Sequence, residues 1–349
     1  MDSEKLVDVE GVRKWFPVQK GFLETLLAGG KRQYVRAVDG VTFDIKRGEV
    51  FGLAGESGSG KSTVGRLILH LLRPTDGTVT FDGIDLESLS KEELRKLRKR
   101  MQVVFQDPLA SLNPRMRLGE AVEHPAKIHM TELSDSERRD LVLRMFEAVG
   151  LSPPEDYYDR YPHQISGGQR QRVVIARGLI THPDLIVADE PIAMADVSVR
   201  ATLLDLMMKL KEEFNLTYLF ITHDLATAKY VCDRIAIMYL GTIVEMGPLK
   251  DVFQDPVHPY TKALLSAVPV PDPLHRRTEP LPTGEIPSPI APPPGCRFHP
   301  RCPIAQPGIC DVEIPEIAPV VDQDGHVAAC HLRTGAHQDL DPERAGEPR

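Results

Sequence analysis

The chain has 349 residues, 42% of them hydrophobic, enough for one large core plus an appendage and too apolar for a disordered chain. Its 42 Lys and Arg against 50 Asp and Glu leave a formal net charge of -8, so it lacks the basic field that attracts polyphosphate chains, and nucleic acid is excluded as a primary partner. There is no N-terminal signal pattern and no uncharged run long enough to span hydrocarbon; the most apolar stretch, Val173 to Ile180, is short and broken by Arg177, so the expectation is a protein made and kept in the cytoplasm.

In chain order, Leu6 to Trp15 and Tyr34 to Ile45 alternate apolar and polar residues, as half-buried strands do, with a basic, glycine-bearing loop or short helix, Lys20 to Gln33, between them. Val50 to Ala54 reads as a strand, and helical spacing runs from Lys61 through Leu67, Leu71 and Leu72. A helix-rich stretch follows, in which Ser134 and Glu137 form a capping box and Leu141, Met145, Ala148 and Val149 form a stripe stopped by Gly150. Leu185 to Ala188 predicts a second buried strand, and the helix after it carries Val199, Leu203, Leu206, Met207, Leu210 and Phe214 on one side. Tyr218 to Ile221 and Ile235 to Tyr239 are further β-type runs, separated by a helical segment; strands alternating with helices imply a largely parallel sheet. Beyond Pro256 proline crowds the sequence, especially from Pro269 to Pro294, which predicts a tail held by extended segments rather than by a large core of its own.

Three segments carry chemistry. Gly55 to Ser62 fits G-x-x-x-x-G-K-[ST] between a strand and a helix, where backbone N–H groups surround phosphate oxygens, Lys61 reaches the β- and γ-phosphates and the Ser62 hydroxyl ligates Mg2+. Leu185 to Glu190 ends an apolar strand in two carboxylates, with Asp189 suited to hold Mg2+ and Glu190 to polarise the water that attacks the γ-phosphate. Ser166-Gly167-Gly168-Gln169 opens a long helix after a potential N-cap, a second anion site that one nucleotide needs only when two copies sandwich it.

In this order the segments resemble those of ABC transporter ATPases over residues 6 to 255: glycine loop, glutamine loop with Gln106, Ser166 to Gln169, Asp189-Glu190, and a switch histidine, His223, in Thr222-His223-Asp224. The resemblance implies an α/β P-loop NTPase (RecA-like) core with an antiparallel β subdomain and a helical insert at about 108–166, together a nucleotide-binding domain at 1–257. It implies ATP held by Gly55, Ser57, Gly58, Gly60, Lys61, Ser62 and Thr63, with Ser166, Gly167, Gly168 and Gln169 supplied across a head-to-tail dimer. Ser62, Gln106 and Asp189 would hold Mg2+, and Glu190, His223 and Gln106 would be catalytic. An aromatic of the first strand stacks on adenine in this family; Phe16 fits best, with Trp15 its neighbour as the other candidate. One departure stands out: Pro191-Ile192-Ala193-Met194-Ala195-Asp196 lacks the small hydroxyl residue usual at Ala193, which implies slower hydrolysis at sites this segment completes.

His258 to Leu265 and Gly295 to Pro303 resemble the C-terminal region of oligopeptide and dipeptide importer ATPases, placed at 258–335 with a disordered tail at 336–349. Four of the 5 Cys lie here, Cys296, Cys302, Cys310 and Cys330; disulfides are unexpected in a reducing compartment, so a metal centre is the reading. Their spacing matches neither a paired C-x-x-C zinc ribbon nor a redox dithiol; the family resemblance implies a four-iron four-sulfur cluster in a small Pro-rich metal-binding region, with Zn2+ the alternative. The implied function is ATP-driven uptake of di- or oligopeptides, from the cytoplasmic face of the membrane, as a peripheral subunit. The implied partners are a second ABC ATPase, identical or homologous, two transmembrane permease subunits and an extracytoplasmic peptide-binding protein. Two other classes compete. A soluble ABC ATPase acting on ribosomes or DNA would need a duplicated cassette, a long coiled coil or a basic surface, and a non-hydrolysing regulatory module is opposed by Glu190 and His223.

Overall fold

The structure, a computed structural model, describes residues 4–18, 32–268, 284–335 and 337–341. Most of the loop expected at Lys20 to Gln33, much of the run from Pro269 to Pro294 and most of the expected tail at 336–349 lie outside the described residues. The strands are β1 (Lys5–Pro17), β2 (Tyr34–Lys46), β3 (Val50–Ala54), β4 (Asp76–Phe81), β5 (Ile84–Asp85) and β6 (Met101–Val104), then β7 (Leu185–Asp189), β8 (Thr217–Thr222), β9 (Arg234–Tyr239), β10 (Thr242–Pro248), β11 (Ala318–Pro319) and β12 (Val327–Ala328). The chain divides into two compact units, one built mainly from Phe81–Ile221 with Ile45–Val50, the other from Asp8–Asp44, Phe51–Thr80 and the chain from Thr222 onward.

In the first unit β7 lies between β6 and β8, all parallel, with Val104 opposite Ala188 and Asp189 opposite Ile221. Leu185 to Ala188 and all of β8 are buried, which is why both sequences read as continuous apolar and β-branched runs rather than alternating ones. The helices Leu118–His129, Asp135–Ala148, Pro154–Tyr158 and Gly167–Leu179 pack on one another. Asp135–Ala148 starts at the expected capping box, Ser134 N donating to Glu137 Oε2 at 2.8 Å, and stops at Gly150, whose φ of 72° suits glycine. The one carboxylate buried between these helices, Glu123, is neutralised by Arg138 Nε at 3.1 Å and Lys127 Nζ at 3.0 Å. Beneath the strands Arg100 joins Asp82 and Asp184, and the Arg100 hydrogen bond holds the Asp82 carboxyl below its ordinary range.

In the second unit β2, β1 and β4 lie side by side in one sheet, while β3 pairs in parallel with β9 and β9 turns through Leu240 and Gly241 into antiparallel β10. The helix after β3, Lys61–Ile68, is shorter than its apolar spacing predicts: His70 takes a left-handed φ of 49°, the N–H groups of Leu71 and Leu72 both fold back to Arg66 O, and Leu71 is 48% exposed. Hydrophobic spacing alone could not place that stop, which is backbone capping.

The C-terminal region, expected to be held by extended segments, is paired into the sheet. β12 pairs antiparallel with β10, setting Glu245 opposite Ala328, and β11 pairs with β12, so the region completes the sheet edge. Phe298 is buried against Tyr239 and Tyr260, with both ring centroids 5.4 Å away. Glu245, wholly buried, accepts from Val257 N, His258 N and His326 Nε2, each at 2.8 Å, tying β10 to two later segments. Glu245→Ala would leave two backbone donors and an imidazole buried without an acceptor. We expect it to lower the unfolding free energy by about 3 kcal/mol, read from a denaturant titration against wild type.

Candidate active site

Strand β3 is buried throughout and delivers the chain into the glycine loop. Gly55, Gly58 and Gly60 take φ of 150°, 79° and 110°, conformations that L side chains rarely adopt. At Gly55 a Cβ would stand 2.2 Å from Met238 O and at Gly60 2.2 Å from Ala37 O, so both glycines are required by close backbone approach as well as by φ. Gly60 is the N-cap of Lys61–Ile68 and offers no side chain to cap it, so the first turn keeps N–H groups for an incoming anion. Lys61, only 5% exposed, donates from Nζ to Gly55 O and Glu56 O, both at 2.8 Å, which holds its ammonium in the loop's concavity. Ser57 and Gly58 are exposed at the loop tip, and Ser62 and Thr63 lie half-buried in the first helical turn.

In the other unit, Asp189 ends β7 half-buried and Glu190 follows with φ 48°, its N–H donating to Ile221 O at 2.9 Å. A glutamate in the left-handed region is strained, and the adjacent strand's carbonyl holds it there. Gln106, just beyond β6, donates from Nε2 to Glu190 Oε2 at 2.8 Å. Parallel pairing of β6 with β7 thus brings together two residues 84 apart in sequence, at the carboxyl ends of the strands where α/β sheets bind ligands. Asp107 then caps Pro108–Ser111, its Oδ1 accepting from Leu109 N at 2.7 Å. Ser166 and Gln169 form a capping box, Ser166 N donating to Gln169 Oε1 at 2.9 Å, while Ser166 and Gly167 stay exposed. A Cβ on Gly168 would come within 3.0 Å of Val199. Ala193 lies in the turn after Glu190, donating to Glu190 O at 3.2 Å.

His223 is exposed at the end of β8, ahead of a helix capped by Asp224. Of the two aromatic candidates, Trp15 is committed: its Nε1 donates to Asp39 and the Arg36 guanidinium lies 4.9 Å from its ring, whereas Phe16 is half-buried under Lys14. In the C-terminal region Cys296, Cys302, Cys310 and Cys330 line one cavity with His258, Phe298 and His331, and none is in a disulfide. Burial pushes the Cys296 thiol up to about 11 and Cys302 up to about 12, with the neighbouring thiols adding to each. Among the described residues no group of three or more His, Cys, Asp or Glu is arranged to hold a metal ion, so the expected metal centre finds no support in the arrangement of the cysteines.

The family described as ABC transporter matches residues 38–193, and the oligopeptide/dipeptide transporter C-terminal region matches 244–310. The oligopeptide transport ATP-binding protein AppF of Bacillus subtilis is 46% identical over 334 residues, covering 95% of this chain and 98% of that protein. The chain belongs to the ATP-binding subunits of oligopeptide/dipeptide ABC transporters. The dipeptide transport ATP-binding protein DppF of Haemophilus influenzae is 48% identical to this ABC subunit, covering 86% of it and 89% of the relative. Among solved structures, the ATP-binding cassette MJ0796, in a dimeric post-hydrolysis state bound to ADP and Pi, is 33% identical with a TM-score of 0.60, covering 70% of this chain and 98% of that one. The subunit is therefore an ATP-hydrolysing one with the P-loop NTPase α/β fold and mixed sheets. Sequence reasoning missed contacts made to its glycine loop from the C-terminal region: Tyr260 and Arg301 both reach Glu56, and no local spacing could signal partners 204 and 245 residues away.

The glycine loop makes a contrast that can be measured. Gly60→Ala drives a Cβ into Ala37 O, whereas Gly58→Ala meets nothing within 4 Å and incurs only the left-handed backbone cost of about 1 kcal/mol. Gly60→Ala should therefore lose binding of a fluorescent ATP analogue in titration, while Gly58→Ala retains most of it.

Proposed function

We propose that this subunit binds Mg-ATP through Gly55, Ser57, Gly58, Gly60, Lys61, Ser62 and Thr63 and hydrolyses it with Glu190, Gln106 and His223, driving uptake of di- or oligopeptides through partner permeases. The observation that carries the reading is the Gln106–Glu190 hydrogen bond, which sets an amide and a strained carboxylate at one strand end. Lys61 would exchange its two loop carbonyls for β- and γ-phosphate oxygens. Glu190 would accept a hydrogen bond from the attacking water, Gln106 would orient that water, and His223 would donate to the γ-phosphate. Ser62, Gln106 and Asp189 would hold Mg2+, whose chemistry is to neutralise charge developing on the phosphate oxygens. Phe16 would stack on adenine.

The helix start at Ser166, Gly167, Gly168 and Gln169, exposed at Ser166 and Gly167, suits the γ-phosphate of a nucleotide bound by a second ATPase subunit, identical or homologous. The peptide cargo, the two permease subunits and an extracytoplasmic binding protein come from the importer family. No described helix is long and apolar enough to cross a membrane, which suits a peripheral subunit docked on permeases at the cytoplasmic face. Domain bounds of 1–257 and 258–335, with the insert at 108–166, accompany this reading.

The four thiols facing one cavity are the donor set of an iron–sulfur cluster, Cys296, Cys302, Cys310 and Cys330 each offering one sulfur. The family resemblance favours a [4Fe–4S] cluster, with Zn2+, which tetrahedral thiolate sites suit equally, as the alternative.

Two tests follow from these assignments. Glu190→Gln should abolish ATP turnover while leaving nucleotide bound, Lys61→Ala should lose nucleotide, and Ala193→Ser should raise turnover; steady-state phosphate release and equilibrium binding separate the three. Protein purified anaerobically without chelator should show visible thiolate-to-iron absorption that Cys302→Ser removes; a colourless protein with stoichiometric zinc would establish the alternative.

A further inference from the structure

Glu56, the second residue of the glycine loop, is held at three points. Its N–H donates to Tyr260 Oη at 3.0 Å, its carbonyl accepts from Lys61 Nζ at 2.8 Å, and its two carboxylate oxygens accept from Arg301 at 3.1 and 3.3 Å. Two of the three restraints come from the C-terminal region. Tyr260 is fully buried, and the Arg301 side chain is 9% exposed against 27% for Glu56. Arg301 is in turn fixed by a tight turn, its N–H donating to Phe298 O at 2.9 Å and Cys302 N–H donating to His299 O at 3.2 Å.

We propose that the C-terminal region supports the ATP site at Glu56 in two ways: Tyr260 holds the Glu56 peptide in the conformation that receives nucleotide, and Arg301 neutralises the Glu56 carboxylate beside the phosphates. The inference rests on the reading of the Lys61 loop as that site. A carboxylate beside the phosphate cradle repels a polyanion unless a cation neutralises it, and Arg301 does so with a two-pronged contact. When Lys61 leaves the Gly55 and Glu56 carbonyls for phosphate oxygens, the loop loses both hydrogen bonds; Tyr260 keeps the Glu56 peptide in place through that exchange. Because Arg301 directly precedes Cys302, whatever orders the four thiols also orders the cation that faces the loop.

A charge cycle tests this in the full-length protein, with affinity for a fluorescent ATP analogue and Mg2+ as readout and thermal melting run alongside. Arg301→Gln should weaken binding by about tenfold, since it exposes the phosphates to an unneutralised Glu56. Glu56→Gln should bind as well as wild type or tighter, and the double variant should return to within about twofold of wild type. Tyr260→Phe, which removes the acceptor of the Glu56 N–H, should weaken binding by about threefold. Unchanged affinity in Arg301→Gln, or equal weakening in Arg301→Gln and the double variant, overturns the proposal; if Arg301→Gln does not fold, weaker binding by Glu56→Gln overturns it alone. Lys61→Ala separates the two levels: lost binding there with Arg301→Gln unaffected removes only the latch, whereas wild-type binding by Lys61→Ala removes the ATP site and the latch with it.

Discussion

Burial of β7 along Leu185–Ala188, with β6 and β8 paired to it in parallel, is the constraint on which the meeting of Gln106 and Glu190 depends. A strand covered on both faces has no room for a polar side chain until it emerges, so Asp189 and Glu190 appear where it ends. Parallel pairing brings the exit of β6 to the same end, and Gln106 meets Glu190 there without any local sequence signal. The left-handed backbone at Glu190 is tolerated because its N–H has a fixed acceptor in Ile221 O. Shifting either strand by one residue would break this meeting, which makes apolar register a determinant of the chemistry.

What the sequence made legible was local. The glycine loop, the capping boxes at Ser134 and Ser166 and the buried runs of β3, β7 and β8 each rest on residues within a few positions of one another, and each has a backbone cause. The helix stop at Ile68 was missed because apolar spacing continues through Leu71, while the chain turns at His70 by backbone hydrogen bonding that leaves no compositional mark. Proline density suggested a C-terminal region held by extended segments, but two-residue strands are too short to show periodicity, so the pairing of β12 with β10 was hidden. Glu245 likewise reads as an ordinary strand glutamate, although it is buried against His326 81 residues later.

The cysteines show a middle case. Their crowding was visible and the fold does bring all four to one cavity, yet spacing could say nothing of the shared surroundings. Burial raises the Cys296 and Cys302 thiols, an effect of surroundings assembled from segments far apart in the chain. Phe298 lines the same cavity, and with Tyr260 it packs against Tyr239 at the end of β9.

The glycine loop is consequently constrained from several directions before any ligand arrives. Met238 O and Ala37 O leave no space for a Cβ at Gly55 or Gly60, Gly241 N donates to Ser59 O at 2.8 Å, and Tyr260 with Arg301 fixes Glu56. A phosphate cradle must present several N–H groups at once, and a mobile glycine loop would lose much of the binding energy to its own ordering. Here that ordering cost is met during folding of the unit that carries the loop, in which Lys61 donates to the Gly55 and Glu56 carbonyls. Glycine supplies the shape, but residues 204 and 245 positions away keep it. The C-terminal region thereby acquires a physical reason to accompany this cassette that is independent of any metal it holds.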